Sequence, residues 1–454
     1  MKTSQTTFFK VEKTCPVSRA RSCRIRLRHG TVDTPVFMPV GTQGTMKTLT
    51  ADQIRALDFE IILANTYHLA HKPGTQVLDR AGGLHNFMNF NRNILTDSGG
   101  FQMVSLLKFA EFSEDGVHFS YPHDETRKLL LSPEKCMDIQ SSINSDIMMQ
   151  LDDVVVTTSE DKERNTLATK RSIRWLDRAF KHAKTKHRKI AQGVEFNDQT
   201  DFKKINDEII TDRPEQVLYP ITQGVLDPEL REYCLKEYCD DKKRAEQIEG
   251  GAIGGLSGGE AKEQFCKVIL QSTARLPVHR PRYVMGVGHP IDILVCVALG
   301  CDQFDCVWPT RIARCGIALV RDERREVIIK KTVDVEVLKG KIDNKCSCST
   351  CKRHTYGYIQ CQVAYNTKSK INKIPETKPP IIYALFKNKD PSACSLLTVH
   401  NLHHHKQFML EMRESIEKSK FPDFVQAYLD ETKYYPTWAV DAFKKVGIEV
   451  KVPT

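Results

Sequence analysis

Eight short apolar runs punctuate the first two thirds of this chain, each ending in a polar or glycine residue and several followed by helix-like sequence. They span 34–40, 60–64, 93–96, 146–151, 217–222, 251–255, 282–286 and 302–307. Amphipathic stretches at 133–143, 159–183, 227–246, 259–276 and 290–299 lie between several of them. Most open on proline or on an Asp or Ser cap, as helix starts do. Strands alternating with helices eight times over ~280 residues make a (β/α)8 barrel the expected fold. A doubly wound open sheet gives the same alternation and is the competing architecture. The barrel carries a corollary: functional side chains gather at the carboxyl ends of its strands. The residues that close the runs are Asp97-Ser98-Gly99-Gly100, Asp152-Asp153, Gln223-Gly224, the glycine-rich 254–259 and Asp305.

The barrel core is expected over 1–320, a second unit over 321–410, and a helical segment packed on the barrel over 411–454. Two stretches look inserted. Residues 185–216 are rich in Lys, Asp and Asn, and 366–391 are rich in Lys and Pro, as an exposed loop would be. The first contains Gln192-Gly193, which mimics Gln223-Gly224, but the stronger apolar run before Gln223 marks the later pair as the strand end. No stretch approaches the ~18 apolar residues of a spanning helix, and residues 1–13 lack the apolar centre of a secretory signal. A cytoplasmic, reducing setting is therefore expected, in which the 15 cysteines favour metal over disulfides. Lys and Arg number 67 against 57 Asp and Glu, a formal net charge of +10, with clusters at 19–28 and 181–189. Such a surface suits RNA, DNA or an anionic membrane, and equally a plain solvated face.

Cys346, Cys348 and Cys351 form a CxCxxC cluster, three soft ligands within six residues. Thiolates at this spacing fold round one tetrahedral Zn²⁺ with metal–sulfur distances of ~2.3 Å. A closed structural site needs a fourth ligand. His354 is nearest in sequence, and His400, His403, His404 and His405 compete with it; spacing does not choose among them.

Three carboxylates, Asp97, Asp152 and Asp305, stand at different strand ends. Asp305 is followed by Pro309, Arg311 and Arg314, whose guanidinium forks suit a phosphate backbone; an ordinary strand-end ion pair is the plain alternative. Two carboxylates flanking a ribose C1′ suit a double displacement with retention, one attacking and one managing the proton. A third, beside a glutamine and backbone N–H groups, can read a base edge. An Asp accepts from the N1–H and 2-amino group of guanine while Gln or Gly N–H donates to O6. Phe101 and Met285 offer flat or polarizable surfaces to sandwich a base. The glycines at 254–259 are no P-loop, because no Lys-Ser/Thr follows; they read as a pocket wall or a tight turn.

The strings TPVFMPVGTQGTMK (34–47), LANTYHL (63–69), LTDSGGFQM (95–103), MQLDDVV (149–155), GGLSGGE (254–260), YVMGVG (283–288) and FDCVWPTR (304–311) together resemble the queuine tRNA-ribosyltransferases, the eukaryotic tRNA-guanine transglycosylases. The resemblance runs from about residue 31 to 447. It implies a (β/α)8 TIM barrel with an inserted zinc-binding subdomain, and exchange of the wobble guanine (position 34) of GUN-anticodon tRNAs, those for Asn, Asp, His and Tyr, for queuine. By motif position Asp305 is then the nucleophile on C1′, forming a covalent ribosyl-enzyme, and Asp97 the general acid/base. Asp152, Gln223 and Gly255 recognise the base edge, Ser98, Gly99 and Gly100 border it, and Phe101 and Met285 stack on it. Loops made of Gly286, Val287, Gly288, His289, Pro290, Ile291 and Asp292, and of Thr310, Arg311, Ile312, Ala313 and Arg314, hold the anticodon RNA. Cys346, Cys348, Cys351 and His400 bind structural zinc. Gly258 and Val154 match the eukaryotic pattern, in which a missing side chain at 258 makes room for queuine's cyclopentenediol ring. The resemblance further implies a heterodimer with a homologous accessory subunit, and residence in the cytoplasm with association at the outer mitochondrial surface. The rival within the family is that accessory subunit itself, a tRNA-docking protein that lacks parts of the active site; here the full set of Asp97, Asp152, Gln223, Gly255 and Asp305 is present. The interval of 49 positions from Cys351 to His400 is longer than the family's usual one.

Overall fold

The computed structural model describes residues 8–99, 110–121, 124–191, 216–329, 337, 339–359 and 392–453. Its largest sheet runs in the order Val217–Tyr219, Ile147–Met149, Asn93–Thr96, Ile61–Ala64, Val36–Gly41, Gln303–Cys306, Arg282–Val284, Gly251–Ile253, Ile221–Thr222, and every pairing in it is parallel. The two ends of this list are one strand interrupted at Pro220, which has no N–H to give the ladder. The Tyr219 carbonyl accepts from Gln150 N–H at 3.1 Å, and the Pro220 carbonyl accepts from Ala252 N–H at 2.9 Å. The same strand thus holds the fourth strand on one side and the sixth on the other, and eight strands close a barrel. Each coincides with one of the eight apolar runs, and the open-sheet alternative falls away.

Alternation along the strands makes two layers. Met38, Leu63, Leu95 and Met149 fill the barrel with Tyr219, Ile221 and Tyr283. Their neighbours Phe37, Ile62, Ile94 and Met148 face outward into the core shared with the helices, as a side-chain period of two requires. The helix Pro133–Ile143 has the bounds read from the sequence. Ser132 accepts from Lys135 N–H, proline follows the cap, and Asn144 ends the helix in the left-handed region at φ 60°. Pro228–Cys239 begins in the same way, with Asp227 accepting from the N–H groups of Glu229 and Leu230.

Some readings need correction. The stretch 310–314, taken as a loop, belongs to the helix Trp308–Arg314: Pro309 sits in its first turn, where proline starts helices as readily as it breaks them. Residues 290–292, grouped with the 286–292 loop, open the helix Pro290–Ala298. The helix Lys162–Ala191 runs past residue 185, so the stretch taken as an insert begins as helix; most of 192–216, and all of 366–391, lie outside the described residues. The helix Ser392–Glu417 crosses the expected boundary at 410/411 without a break. The basic cluster at 19–28 contains the strand Arg21–Leu27, central in an antiparallel sheet with Phe9–Thr14 and Gly30–Thr34. Its Cys23, Ile25 and Leu27 are buried, and several of its cations are taken: Arg24 pairs with Asp33, and Arg28 approaches Asp146.

Arg21 makes the most buried of these pairs, with Nε and Nη2 donating to the two Asp302 oxygens at 2.9 and 2.6 Å. Asp302 also accepts from Arg282 N–H at 2.7 Å, so one carboxylate pins the N-terminal sheet to the foot of two barrel strands. Asp302→Ala strands a buried guanidinium and is expected to cost about 3–5 kcal/mol. Urea unfolding checks this; an unchanged midpoint would contradict it.

Candidate active site

Strand ends of the barrel bring the carboxylates together. Asp305, in Gln303–Cys306, is half-buried. Its Oδ1 accepts from the Tyr283 hydroxyl at 2.5 Å and from Gly286 N–H at 2.9 Å, and neither bond engages Oδ2. Burial pushes the Asp305 carboxyl above its ordinary value, and the bonds from Gly286 and Tyr283 work against that rise. Burial also holds the Tyr283 phenol well above its ordinary value, reinforced by Asp305 and by Asp97. Tyr283 therefore stays protonated and donates, within electrostatic reach of both carboxylates.

Asp97 follows the strand Asn93–Thr96 and is buried. Its Oδ1 accepts from Thr66 N–H at 2.8 Å, Asn65 Nδ2 donates to Oδ2, and the Thr66 hydroxyl donates to its carbonyl. The next residue, Ser98, donates to Asp152 Oδ1 at 3.2 Å, and Gln223 Nε2 donates to Asp152 Oδ2 at 2.5 Å. Burial pushes Asp152 up to about 6, against the pull of the Gln223 and Ser98 bonds. Asp305, Tyr283, Asp97, Ser98, Asp152 and Gln223 thus form one patch spread over five strand ends. Gly255 stands beside it at φ +66°, where a Cβ would lie 3.0 Å from Gln223 Oε1; the backbone and the neighbour both call for glycine. Gly99 is also left-handed, at φ 87°. Met285 is half-buried against the barrel-interior cluster. Gly100 and Phe101 lie outside the described residues.

Gly258 is exposed, but its open side is already claimed: a Cβ there would collide with Thr157 Oγ1. A larger residue must first displace Thr157 and the loop that carries Asp152 and Val154.

Among the described residues two groups of side chains could gather a metal: Cys346, Cys348, Cys351 and His400, and His29, His85 and Asp146. In the first, His400 Nδ1 lies 3.5, 3.6 and 3.4 Å from the three sulfurs in sequence order. Tetrahedral Zn²⁺ with its usual bond lengths sets nitrogen and sulfur ligands ~3.5 Å apart, so the donor set and its spacing fit zinc. His400 Nε2–H donates to the Leu319 carbonyl at 2.7 Å, which leaves Nδ1 as the ligand. Of the other histidines, His404 is buried with neither ring nitrogen hydrogen-bonded and does not reach the cluster, and the remaining three are occupied elsewhere. His354 stacks on Tyr358, His403 meets Ser347 Oγ, and His405 Nε2–H donates to the Gly288 carbonyl at 2.8 Å. In the second group the His29 and His85 rings stack 3.6 Å apart at 17°. A metal held by both would sit far out of each ring plane, so the group reads as a latch on Asp146 at the amino end of the barrel, hydrogen-bonded through His29 and approached by His85 at 3.2 Å.

Residues 15–369 and 377–434 match the family model described as queuine tRNA-ribosyltransferase. The chain belongs to this family. It is 44% identical over 448 residues to the queuine tRNA-ribosyltransferase catalytic subunit of Schizosaccharomyces pombe, covering 97% of each chain. It is 40% identical to the protein of that name from Caenorhabditis elegans, over 95% of this chain and 97% of the relative. The queuine tRNA-ribosyltransferase of Bacillus pumilus is 37% identical, over 92% and 94%.

For a queuine tRNA-ribosyltransferase the residues expected to meet RNA divide sharply. Val287, Gly288, Ile291, Asp292, Thr310 and Ala313 are buried, whereas Gly286, His289 and Arg311 are exposed and Pro290, Ile312 and Arg314 half-exposed. Asp292 is paired with Lys262 at 2.6 Å. Arg314 Nη1 donates to the Thr310 carbonyl at 2.9 Å. The His289 ring packs on Trp308 at 4.0 Å, which joins the two segments. Asn401 Nδ2 donates to the carbonyls of Pro309 and Ile317, each at 3.0 Å. The helix that supplies His400 therefore also braces the helix behind Asp305. Tyr283, Asn65 and Thr66 had no assigned role, although YVMGVG and LANTYHL contain them; their adjacency to strand ends was the available signal.

Proposed function

We propose that this chain exchanges the wobble guanine of GUN-anticodon tRNA for queuine by double displacement. Asp305 attacks C1′ through Oδ2 as the C1′–N9 bond breaks, leaving a ribosyl ester and free guanine. With Oδ1 held by Tyr283 and Gly286, the carboxylate is fixed in one orientation before substrate arrives. Its charge stabilises the cationic character that develops on the sugar. Asp97 gives a proton to departing guanine and later takes one from the incoming base, whose nitrogen then attacks C1′ and releases Asp305. Asp152 accepts from the base N1–H and 2-amino group, and Gln223 and Gly255 donate to its carbonyl oxygen.

The observation that carries this reading is the gathering of three carboxylates at three strand ends, with Tyr283 bonded to Asp305 and within electrostatic reach of Asp97, and Ser98, next to Asp97 in the chain, bonded to Asp152. The family's accessory role fits it less well, because docking tRNA gives no use to a buried carboxyl held near 6. The test is incorporation of labelled queuine into GUN-anticodon tRNA by the chain, with and without a homologous partner subunit. Incorporation supports the catalyst; an inert chain under both conditions makes it the docking subunit. Assembly with that partner, and residence in the cytoplasm and at the outer mitochondrial surface, belong to the same proposal.

Zinc in the Cys346–Cys348–Cys351–His400 cluster is structural in this reading, since four protein ligands leave no position for substrate. His400→Ala is expected to drop bound zinc from about one ion per chain to a small fraction of that. It should also loosen the helix Trp308–Arg314, seen as faster amide exchange there. Full retention of zinc would move the fourth ligand to another histidine.

A further inference from the structure

Arg231 lies in the first turn of Pro228–Cys239, is fully buried, and pairs with no carboxylate among the described residues. Burial lowers it only to about 10, so it is a cation at neutral pH. Arg21 and Arg171, also buried, are matched with Asp302 and Asp153, whereas Arg282, buried without a salt bridge, donates to the carbonyls of Gly300 and Leu276 at the opposite end of the barrel. A buried charge without a counter-ion is costly, and the Arg231 guanidinium spends its donors on backbone carbonyls alone. Nη2 donates to Val225 at 2.6 Å and to Gly254 at 3.1 Å, Nε to Val225 at 3.2 Å, and Nη1 to Thr222 at 3.4 Å. These carbonyls belong to the two strand ends that carry Gln223 and Gly255. Val225 is held at φ +45°, a conformation that a β-branched residue adopts only when its surroundings impose it.

The Gly254 carbonyl and the Gly255 N–H are two ends of one peptide. A cation on the oxygen draws electron density from the nitrogen and strengthens the N–H as a donor. That N–H donates to no described residue, and a Cβ on Gly255 would stand 3.2 Å from Arg231 Nη2 and 3.0 Å from Gln223 Oε1. We propose that Arg231 is a positioning residue for base recognition: it clamps the two strand ends in register and polarises the Gly254–Gly255 peptide toward the carbonyl oxygen of a 6-oxopurine. The site thereby selects bases with an oxygen at that position over bases without one. This rests on the base-recognition reading above.

The test compares guanine with 2-aminopurine, which lacks the oxygen, as competitors in exchange of labelled guanine into tRNA by wild type, Arg231→Met and Arg231→Lys. Guanine affinity is expected to fall about tenfold in Arg231→Met while that of 2-aminopurine changes less than about twofold, with tRNA KM unchanged and Arg231→Lys recovering part of the loss. Equal losses for both bases would reduce Arg231 to a structural brace, and no loss for guanine would overturn the proposal outright. If Arg231→Met does not fold, wild type decides by hydrogen exchange of residues 254–257: guanine slows Gly255 N–H exchange and 2-aminopurine does not, and equal protection by both contradicts the proposal. A wild type that exchanges no guanine at all fails the transglycosylase reading instead, so the two failures are distinguishable.

Discussion

Asp305→Asn leaves queuine incorporation at background, a loss of at least about 10⁴-fold in kcat. The substitution is nearly isosteric. An Asn carbonyl oxygen still accepts from Tyr283 and Gly286, so both bonds that orient the side chain persist. What vanishes is the negative charge on the oxygen that neither bond engages and that becomes the ester. Melting temperature should stay within a few degrees, and tRNA affinity should hold, because phosphate contacts dominate it and the exposed cation Arg311 is untouched. A variant that kept more than about one per cent of the wild-type rate would show that Asp305 does not carry the ribosyl group.

Asp152→Asn separates activity from stability. The folded state holds the Asp152 proton near 6, against an ordinary value of 3.8, so the native protein binds this proton more tightly than the unfolded chain does. The stabilisation linked to it is complete below about pH 4 and is lost as the pH rises through about 6, a change of ~3 kcal/mol. At pH 7.5 the ionised carboxylate is a burden on the fold that base recognition uses. Asn lifts that burden, and the melting temperature at pH 7.5 should rise by about 1–3 °C. The same change presents an amide where N1–H and the 2-amino group need a paired acceptor, and base KM should rise at least ~100-fold. In wild type the counterpart is a base KM that is flat above about pH 7 and climbs as the pH falls below about 6, where Asp152 becomes neutral. A variant that is inactive and also less stable would contradict this assignment of the charge.

The barrel was legible because its strands are short, apolar on both faces and punctuated at their carboxyl ends by the residues that do the chemistry. Asp97, Asp152, Gln223, Gly255 and Asp305 could be picked out one strand at a time, and the fold gathers them. The antiparallel sheets were not legible for a related reason. The apolar residues that Arg21–Leu27 buries are only Cys23, Ile25 and Leu27, and its arginines read as a basic surface although Arg21 is itself buried and spent on Asp302. The helix Trp308–Arg314 was missed because Pro309, a residue that can end a helix, here opens one. Tyr283 and Arg231 escaped for another cause. Their importance lies in bonds to Asp305, 22 residues away, and to Gly254, 23 residues away, contacts that leave no periodic or local trace. By spacing His400 lay among four competing histidines; the family resemblance chose it, and the fold shows its Nδ1 facing all three sulfurs.

The measurement closest to the central claim is capture of the covalent intermediate. Wild-type protein is incubated with GUN-anticodon tRNA without added base, denatured, and resolved on a denaturing gel, and the adduct is digested for mass spectrometry. The account predicts a tRNA–protein band that disappears when queuine is added before denaturation, is absent from Asp305→Asn, and maps to the peptide containing Asp305. A wild type that turns over with its adduct on Asp97, or on any residue other than Asp305, would contradict it.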